Sequence, residues 1–267
     1  MLLAPLAPAT TPALDDAAAA GPDAPDKAEL VERLEAVRAR LDSWQQALFA
    51  EQRRAVLVVL QGRDASGKDG TVRGVFGGLN PQGLSTTSFK APNLLERSHD
   101  YLWRVHQAVP PCGMIGLFNR SHYEDVLVAR VHALVPPDVW RKRYAQINDF
   151  ERMLTENGVV ILKFFLHISG EEQRKRLEAR LKDPSKSWKF DVDDIGERAR
   201  WEEYRAAYAE ALERCSTPHA PWYVVPSDRK PVRNLLVAET VLRCLEGMHP
   251  EYPPTDPAVA ALRGTLK

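Results

Sequence analysis

The chain has 267 residues, and its 36 Lys plus Arg are balanced by 36 Asp plus Glu, so the formal net charge is zero. That length suits one large α/β domain or two small ones, with a core that needs no disulfide or metal staple. The charge balance excludes a general nucleic-acid or polyanion binder, so any anion site must arise from local sorting of charge.

Residues 1–25 are rich in Ala and Pro, lack a basic start and read as a disordered tail. From about 26 to 52, Leu30, Leu34, Val37, Leu41, Trp44 and Leu48 recur at helical spacing, which predicts an amphipathic packing helix. The run AVLVVLQG at 55–62 then reads as a strand buried on both faces. Similar strand runs follow at 85–89, 114–118, 159–168 and 222–225. Helical patterns separate them, over about 71–79, 94–109, 123–134, 139–158, 171–181, 197–215 and 232–248. Five strands alternating with helices predict a parallel sheet covered on both sides, a three-layer α/β/α domain spanning 26–250. Residues 251–267 read as a C-terminal tail. No run of about 18 apolar residues predicts a membrane span. Cys112, Cys215 and Cys244 are odd in number and in no CxxC spacing, which fits a reduced, cytoplasmic compartment.

Ligands of such sheets bind at the carboxyl ends of the strands. Residues 62–69, GRDASGKD, sit there between the first strand and a helical pattern. Gly62 and Gly67 permit backbone that aims successive N–H groups, those of Arg63, Ala65 and Ser66 among them, at phosphate oxygens. The following helix adds its positive end, and Lys68 a point charge. The usual Ser or Thr after the lysine is replaced by Asp69. Two acids in a phosphate cradle make sense if at least one holds Mg²⁺ through oxygen, and Asp64 is the choice for that role. Asp69 is either a second such acid or a first-turn acid stabilised by the helix dipole.

The third strand ends in MIGLFNRSHYEDV. Asn119 occupies its tip as a neutral oxygen at best, Arg120 offers a fork to phosphate, and Glu124 and Asp125 either hold metal or serve as N-terminal helix charge. Lys90, ending the second strand, either faces the site or is a surface lysine. Between 171 and 195 the charges are sorted: Arg176 and Arg180 share a helix face, and Lys182, Lys186 and Lys189 surround Trp188. This segment reads as a lid closing over a polyanion or as a solvated charged loop.

Taken together, GRDASGKDGTV, FNRSHYEDV, EARLKDPSKSWKF and APWYVVPSDRK resemble the polyphosphate kinase 2 family, over about residues 30 to 250. The resemblance implies a thymidylate-kinase-like P-loop fold and phosphoryl transfer between inorganic polyphosphate and a nucleotide with Mg²⁺, Mn²⁺ being an alternative metal. It also implies a homodimer or homotetramer. The family loop has Gly or Asp after the lysine, so Asp69 belongs to it. Asp64 matches the catalytic, metal-associated acid, Lys68 the loop lysine and Arg120 the arginine after the third strand. Arg176, Arg180, Lys186 and Lys189 match basic lid positions. Asn119 departs from the Asp found in many members and removes an anionic metal ligand. The Asn-Arg-Ser-His-Tyr-Glu-Asp version resembles the class III subgroup, which accepts AMP and ADP and forms ADP and ATP. The alternative is a nucleoside monophosphate kinase using ATP as donor, which Asp69 and the lysine-rich lid disfavour.

Overall fold

The computed structural model describes residues 2–185, 187–190, 193–263 and 265. Five parallel strands, β1 (Ala55–Gln61), β2 (Leu84–Ser88), β3 (Ile115–Asn119), β4 (Val159–His167) and β5 (Trp222–Pro226), form one sheet in the order β2-β3-β1-β4-β5. All seven residues of β1 are buried, as a central strand covered on both faces requires. The chain crosses from one side of β1 to the other between β3 and β4, and that switch point is where a ligand is expected.

Twelve helices are described: α1 (Asp16–Ala20), α2 (Lys27–Glu51), α3 (Lys68–Thr71), α4 (Leu94–Arg97), α5 (Trp103–Ala108), α6 (Val128–Val131), α7 (Pro137–Glu156), α8 (Gly170–Lys182), α9 (Asp193–Ala199), α10 (Trp201–Cys215), α11 (Lys230–Met248) and α12 (Pro257–Ala260). The long ones start on defined signals: Asp26 caps α2 by accepting from the N–H groups of Ala28 and Glu29, and Ser169 caps α8 by accepting from Glu172. Helices α7 and α10 pack with Leu57, Val59 and Phe165 on one face of the sheet. On the other, α2 and α11 pack with Val56, Val58 and Leu166. The alternation along β1 thus sorts one strand into two cores.

Four predicted helices are interrupted or shorter than expected. The helix over 71–79 widens after Thr71 into a π-helical turn over Val72–Phe76, which contains Gly74, and ends at Gly77, where the backbone is extended. The pattern over 94–109 divides into α4 and α5, that over 123–134 into a tight turn over His122–Asp125 and the short α6, and that over 197–215 into α9 and α10. Residues 2–25 correct a further expectation, because they are not a loose tail. The Leu6 N–H donates to the Trp222 carbonyl at 2.7 Å, and Leu14 and Ala19 are buried. Strand β5 lies at the sheet edge, and this segment supplies a partner for its Trp222 carbonyl.

No helix among the described residues is long and apolar enough to cross a membrane.

Candidate functional site

The loop 62–69 leaves the tip of β1 and closes on α3. Gly62, at φ +155, could not carry a side chain: a Cβ there would lie 2.6 Å from Ser66 Oγ and 2.7 Å from the Leu166 carbonyl. Ala65 takes the left-handed conformation at φ +59, and the Ser66 N–H donates to the Arg63 carbonyl at 3.1 Å. Lys68 turns back into the loop, where its Nζ donates to the Gly62 carbonyl at 2.6 Å and the Arg63 carbonyl at 3.3 Å. Burial, followed by the charge of Arg120, lowers the pKa of Lys68 to about 8.

Arg120 joins two of the predicted acids. It follows β3 at φ +63, its N–H donating to the Leu60 carbonyl. From there Nη2 reaches Asp64 at 3.0 Å and Nη1 reaches Glu124 at 3.3 Å. One guanidinium therefore ties the phosphate loop to the turn over His122–Asp125. Glu124 and, less strongly, Asp64 hold the pKa of Arg120 above its usual range, against the effect of burial.

Asp125 is held by a different cation from the one that holds Asp64 and Glu124. Arg143 Nη1 donates to its carboxylate at 3.1 Å and to its carbonyl at 2.8 Å, and burial raises its pKa. Asn119 points at the loop instead: its Nδ2 donates to Asp69 Oδ1 at 2.7 Å.

Beside these charges lies a cavity of about 410 Å³, bordered by Arg63, Asp64, Arg120 and Glu124 and walled by Trp201, Tyr204 and Tyr208 of α10. Arg63 Cζ rests 3.6 Å from the centre of the Trp201 ring, and its Nη2 donates to the Trp201 carbonyl at 3.3 Å. Arg63 Nε and Nη1 are buried and have no hydrogen-bond partner among the described residues. Burial lowers the pKa of Arg63 to about 10. A buried cation with unused donors at a cavity wall is arranged for an anion. Lys90 is exposed and its neighbour Ala91, not Lys90, borders the cavity.

Arg176 is close to the loop but is not available to phosphate as expected. All five of its N–H groups are engaged within the protein. They donate to Glu172 and to the carbonyls of Ala65, Ser66, Ser227 and Asp228 at 2.6 to 3.1 Å. It sews α8 and the β5 loop to the back of the phosphate loop. Arg180 is half-buried and partnered. Lys186 and the side chain of Lys189 lie outside the described residues.

Sequence reasoning missed Trp201, Tyr204 and Tyr208, whose i, i+3, i+7 spacing reads equally as core. It also missed Gln173, whose Nε2 donates to the Asp64 carbonyl at 3.0 Å.

The chain matches the family model described as Polyphosphate kinase 2 over residues 24–253. It is 51% identical over 232 residues to the AMP/ADP-polyphosphate phosphotransferase of Meiothermus ruber, covering 87% of each chain. It is 44% identical over 235 residues to the ADP-polyphosphate phosphotransferase of Rhodopseudomonas palustris, covering 82% of this chain and 80% of that one. Among solved structures, the crystal structure of Polyphosphate Kinase 2 from Arthrobacter aurescens TC1 matches with a TM-score of 0.88 and 46% identity, over 91% of this chain and 87% of that one.

Proposed function

This chain belongs to the polyphosphate kinase 2 family, and on that premise we propose that it transfers a phosphoryl group between inorganic polyphosphate and AMP or ADP, forming ADP and ATP. The observation that carries this reading is Arg120, held between Asp64 of the phosphate loop and Glu124 at the edge of the cavity. A guanidinium so placed can clamp phosphoryl oxygens that enter between the loop and the cavity.

The chain's residues divide the work. Loop N–H groups, with Lys68 and Arg120, stabilise negative charge on the transferring group. The aromatic wall of α10 offers stacking faces to the base of an acceptor nucleotide, and the buried charge of Arg63 beside it favours the nucleotide's phosphates. No general base is required, because the nucleophile is a phosphate oxygen already ionised at neutral pH. Trp201 and the tyrosines also keep water away from a group that would otherwise be hydrolysed.

Asp64 and Glu124 suit Mg²⁺. Their carboxylates, hard oxygen donors, converge on one guanidinium, and a cation could share or replace it. Among the described residues there is no group of three His, Cys, Asp or Glu placed for a metal. Mg²⁺ commonly takes one or two carboxylates and completes its shell with water and phosphate oxygens. When bound, the metal neutralises phosphate charge and polarises the transferring group.

The test is an incubation of the purified protein with Mg²⁺, long-chain polyphosphate and AMP, without ATP, resolved by nucleotide chromatography. ADP followed by ATP supports the reading. Absence of polyphosphate-dependent product, with ADP forming from ATP plus AMP, transfers the site to a nucleoside monophosphate kinase.

A further inference from the structure

Beneath the phosphate loop lies a cation that the reaction described above does not use. Arg233, in the first turns of α11, is only 2% exposed. Its Nη1 donates to the Ser66 carbonyl at 3.2 Å, while Nε and Nη2 donate to Asn234 Oδ1 at 3.1 and 2.8 Å. Among the described residues no carboxylate pairs with it, and all its acceptors are neutral.

The contact with the loop backbone is close. A Cβ on Gly67, which sits at φ +107, would lie 1.8 Å from Arg233 Nη1, and one on Gly70 would lie 3.1 Å from Nη2. Glycine at both ends of the GKDG stretch therefore makes room for a guanidinium. Arg176 reaches the same place from α8 and shares the Ser66 carbonyl at 3.1 Å. Burial, then the charge of Arg176, lowers the pKa of Arg233 to about 10.

Two guanidiniums thus meet at the carbonyl side of the loop, with Glu172 beside one of them and, among the described residues, no acid beside the other. A buried charge without a counter-ion destabilises a fold, and a neutral carbonyl offsets only part of that cost. Burial also leaves the charge weakly screened, so it is felt across one peptide layer. An anion cradled by the loop N–H groups would lie on the other face of that layer.

We propose that Arg233 is a positioning residue whose counter-ion is the phosphate chain itself, its charge acting through the Ser66–Gly67 peptide on a polyanion held by the loop. The inference rests on the polyphosphate reading of that site. It goes beyond it by making the free protein the electrostatically uncompensated state and the polyphosphate-bound protein the compensated one. Arg233 need not touch substrate to act in this way.

The test uses inorganic tripolyphosphate as probe and compares wild type with Arg233→Gln, which removes the charge, and Arg233→Lys, which keeps it. Arg233→Gln is expected to melt at or above the wild-type temperature when unliganded, and to lose at least half of the tripolyphosphate-induced rise in melting temperature. Its KM for polyphosphate should rise about tenfold while its KM for ADP stays within about twofold, and log(kcat/KM) should fall less steeply with salt. Arg233→Lys should retain most of the ligand-induced rise. An Arg233→Gln protein that fails to fold, or that melts lower with an undiminished ligand-induced rise, overturns the proposal. A wild type that neither responds to tripolyphosphate nor uses polyphosphate sinks the polyphosphate reading, and is recognised without any variant.

Discussion

The side-chain amide of Asn119 donates to the carboxylate of Asp69 across 2.7 Å, joining the tip of β3 to the first turn of α3. Each residue departs from a common P-loop arrangement, an acid following the lysine and an amide at the strand tip, and the two departures meet in one hydrogen bond. Asn119→Asp would set two carboxylates face to face. It should cost about 1 kcal/mol for the lost bond, with repulsion added to that. The exchanged pair, Asp69→Asn with Asn119→Asp, restores an amide facing a carboxylate with the partners reversed. Urea denaturation of the two singles and the double should give a coupling of about 1 kcal/mol; additive losses would mean the bond contributes nothing.

Arg120 is expected to be the most sensitive residue of the site. Its guanidinium reaches Asp64 with one nitrogen and Glu124 with the other. Arg120→Lys keeps a charge but loses the fork, so it should retain only a small part of the activity. Arg120→Ala should lower kcat by about 10²–10³, the usual loss on deleting one donor to developing charge. Single-turnover formation of ADP from AMP, with circular dichroism to confirm the fold, checks both. A Lys variant at half the wild-type rate would show that a point charge suffices.

If Asp64 holds Mg²⁺, its loss must appear in the metal dependence and not in the rate alone. Asp64→Asn preserves shape and removes the charge. It should retain less than about a tenth of wild-type activity and require several-fold more Mg²⁺ for half-saturation. A titration of rate against Mg²⁺ that superposes on wild type after scaling would assign Asp64 to Arg120 alone.

Trp201 carries the face on which Arg63 rests, and both border the cavity. Trp201→Ala removes a cation–π contact of about 1–2 kcal/mol and opens the wall. The expected result is a roughly tenfold rise in KM for AMP, with Trp201→Phe intermediate. Fluorescence-monitored binding of AMP provides a second readout, and an unchanged KM would place the nucleotide elsewhere.

How far the molecule could be read from its sequence depended on whether the signal was local. The continuous apolar run Ala55–Gln61 and the glycines beside it are local, so the strands, their parallel arrangement and the phosphate loop were legible. Asp64, Lys68, Arg120 and Glu124 could be singled out because short motifs carry them, and Arg120 does bond both Asp64 and Glu124. Arg176 was found and misread: a cation near a phosphate loop can face the anion or the carbonyls, and only tertiary structure decides. Arg233 and Trp201 were not found at all. They come from α11 and α10, far along the chain, and each sits in a helix whose pattern reads as packing. A charged residue buried between Val232 and Leu235 was the available signal for Arg233.

The same kind of signal marks Lys163, in the middle of the apolar run of β4. It is fully buried, and its Nζ donates to Glu151 at 2.5 Å, to Tyr123 Oη at 2.9 Å and to the Cys215 carbonyl at 2.7 Å. Tyr123 in turn donates to Glu151 at 2.9 Å, and His122 Nε2 lies 3.2 Å from the same oxygen. The pair thus anchors the turn that carries Glu124. Burial alone would raise the pKa of Glu151, but Lys163 and His122 outweigh it and hold the carboxyl below its usual 4.5. A depressed carboxylate pKa contributes stability above the unfolded value, which is lost as pH falls through the lower folded value. Glu151→Gln leaves Lys163 buried and unpaired and should cost about 3–5 kcal/mol at pH 7. The difference from wild type should stay level down to about pH 5 and narrow below about pH 4.5, as the wild-type carboxyl takes up its proton. Urea midpoints for both proteins at several pH values between 7 and 3 decide it. A gap that is small at pH 7, or that does not narrow on acidification, would mean that the ion pair is not what holds this turn.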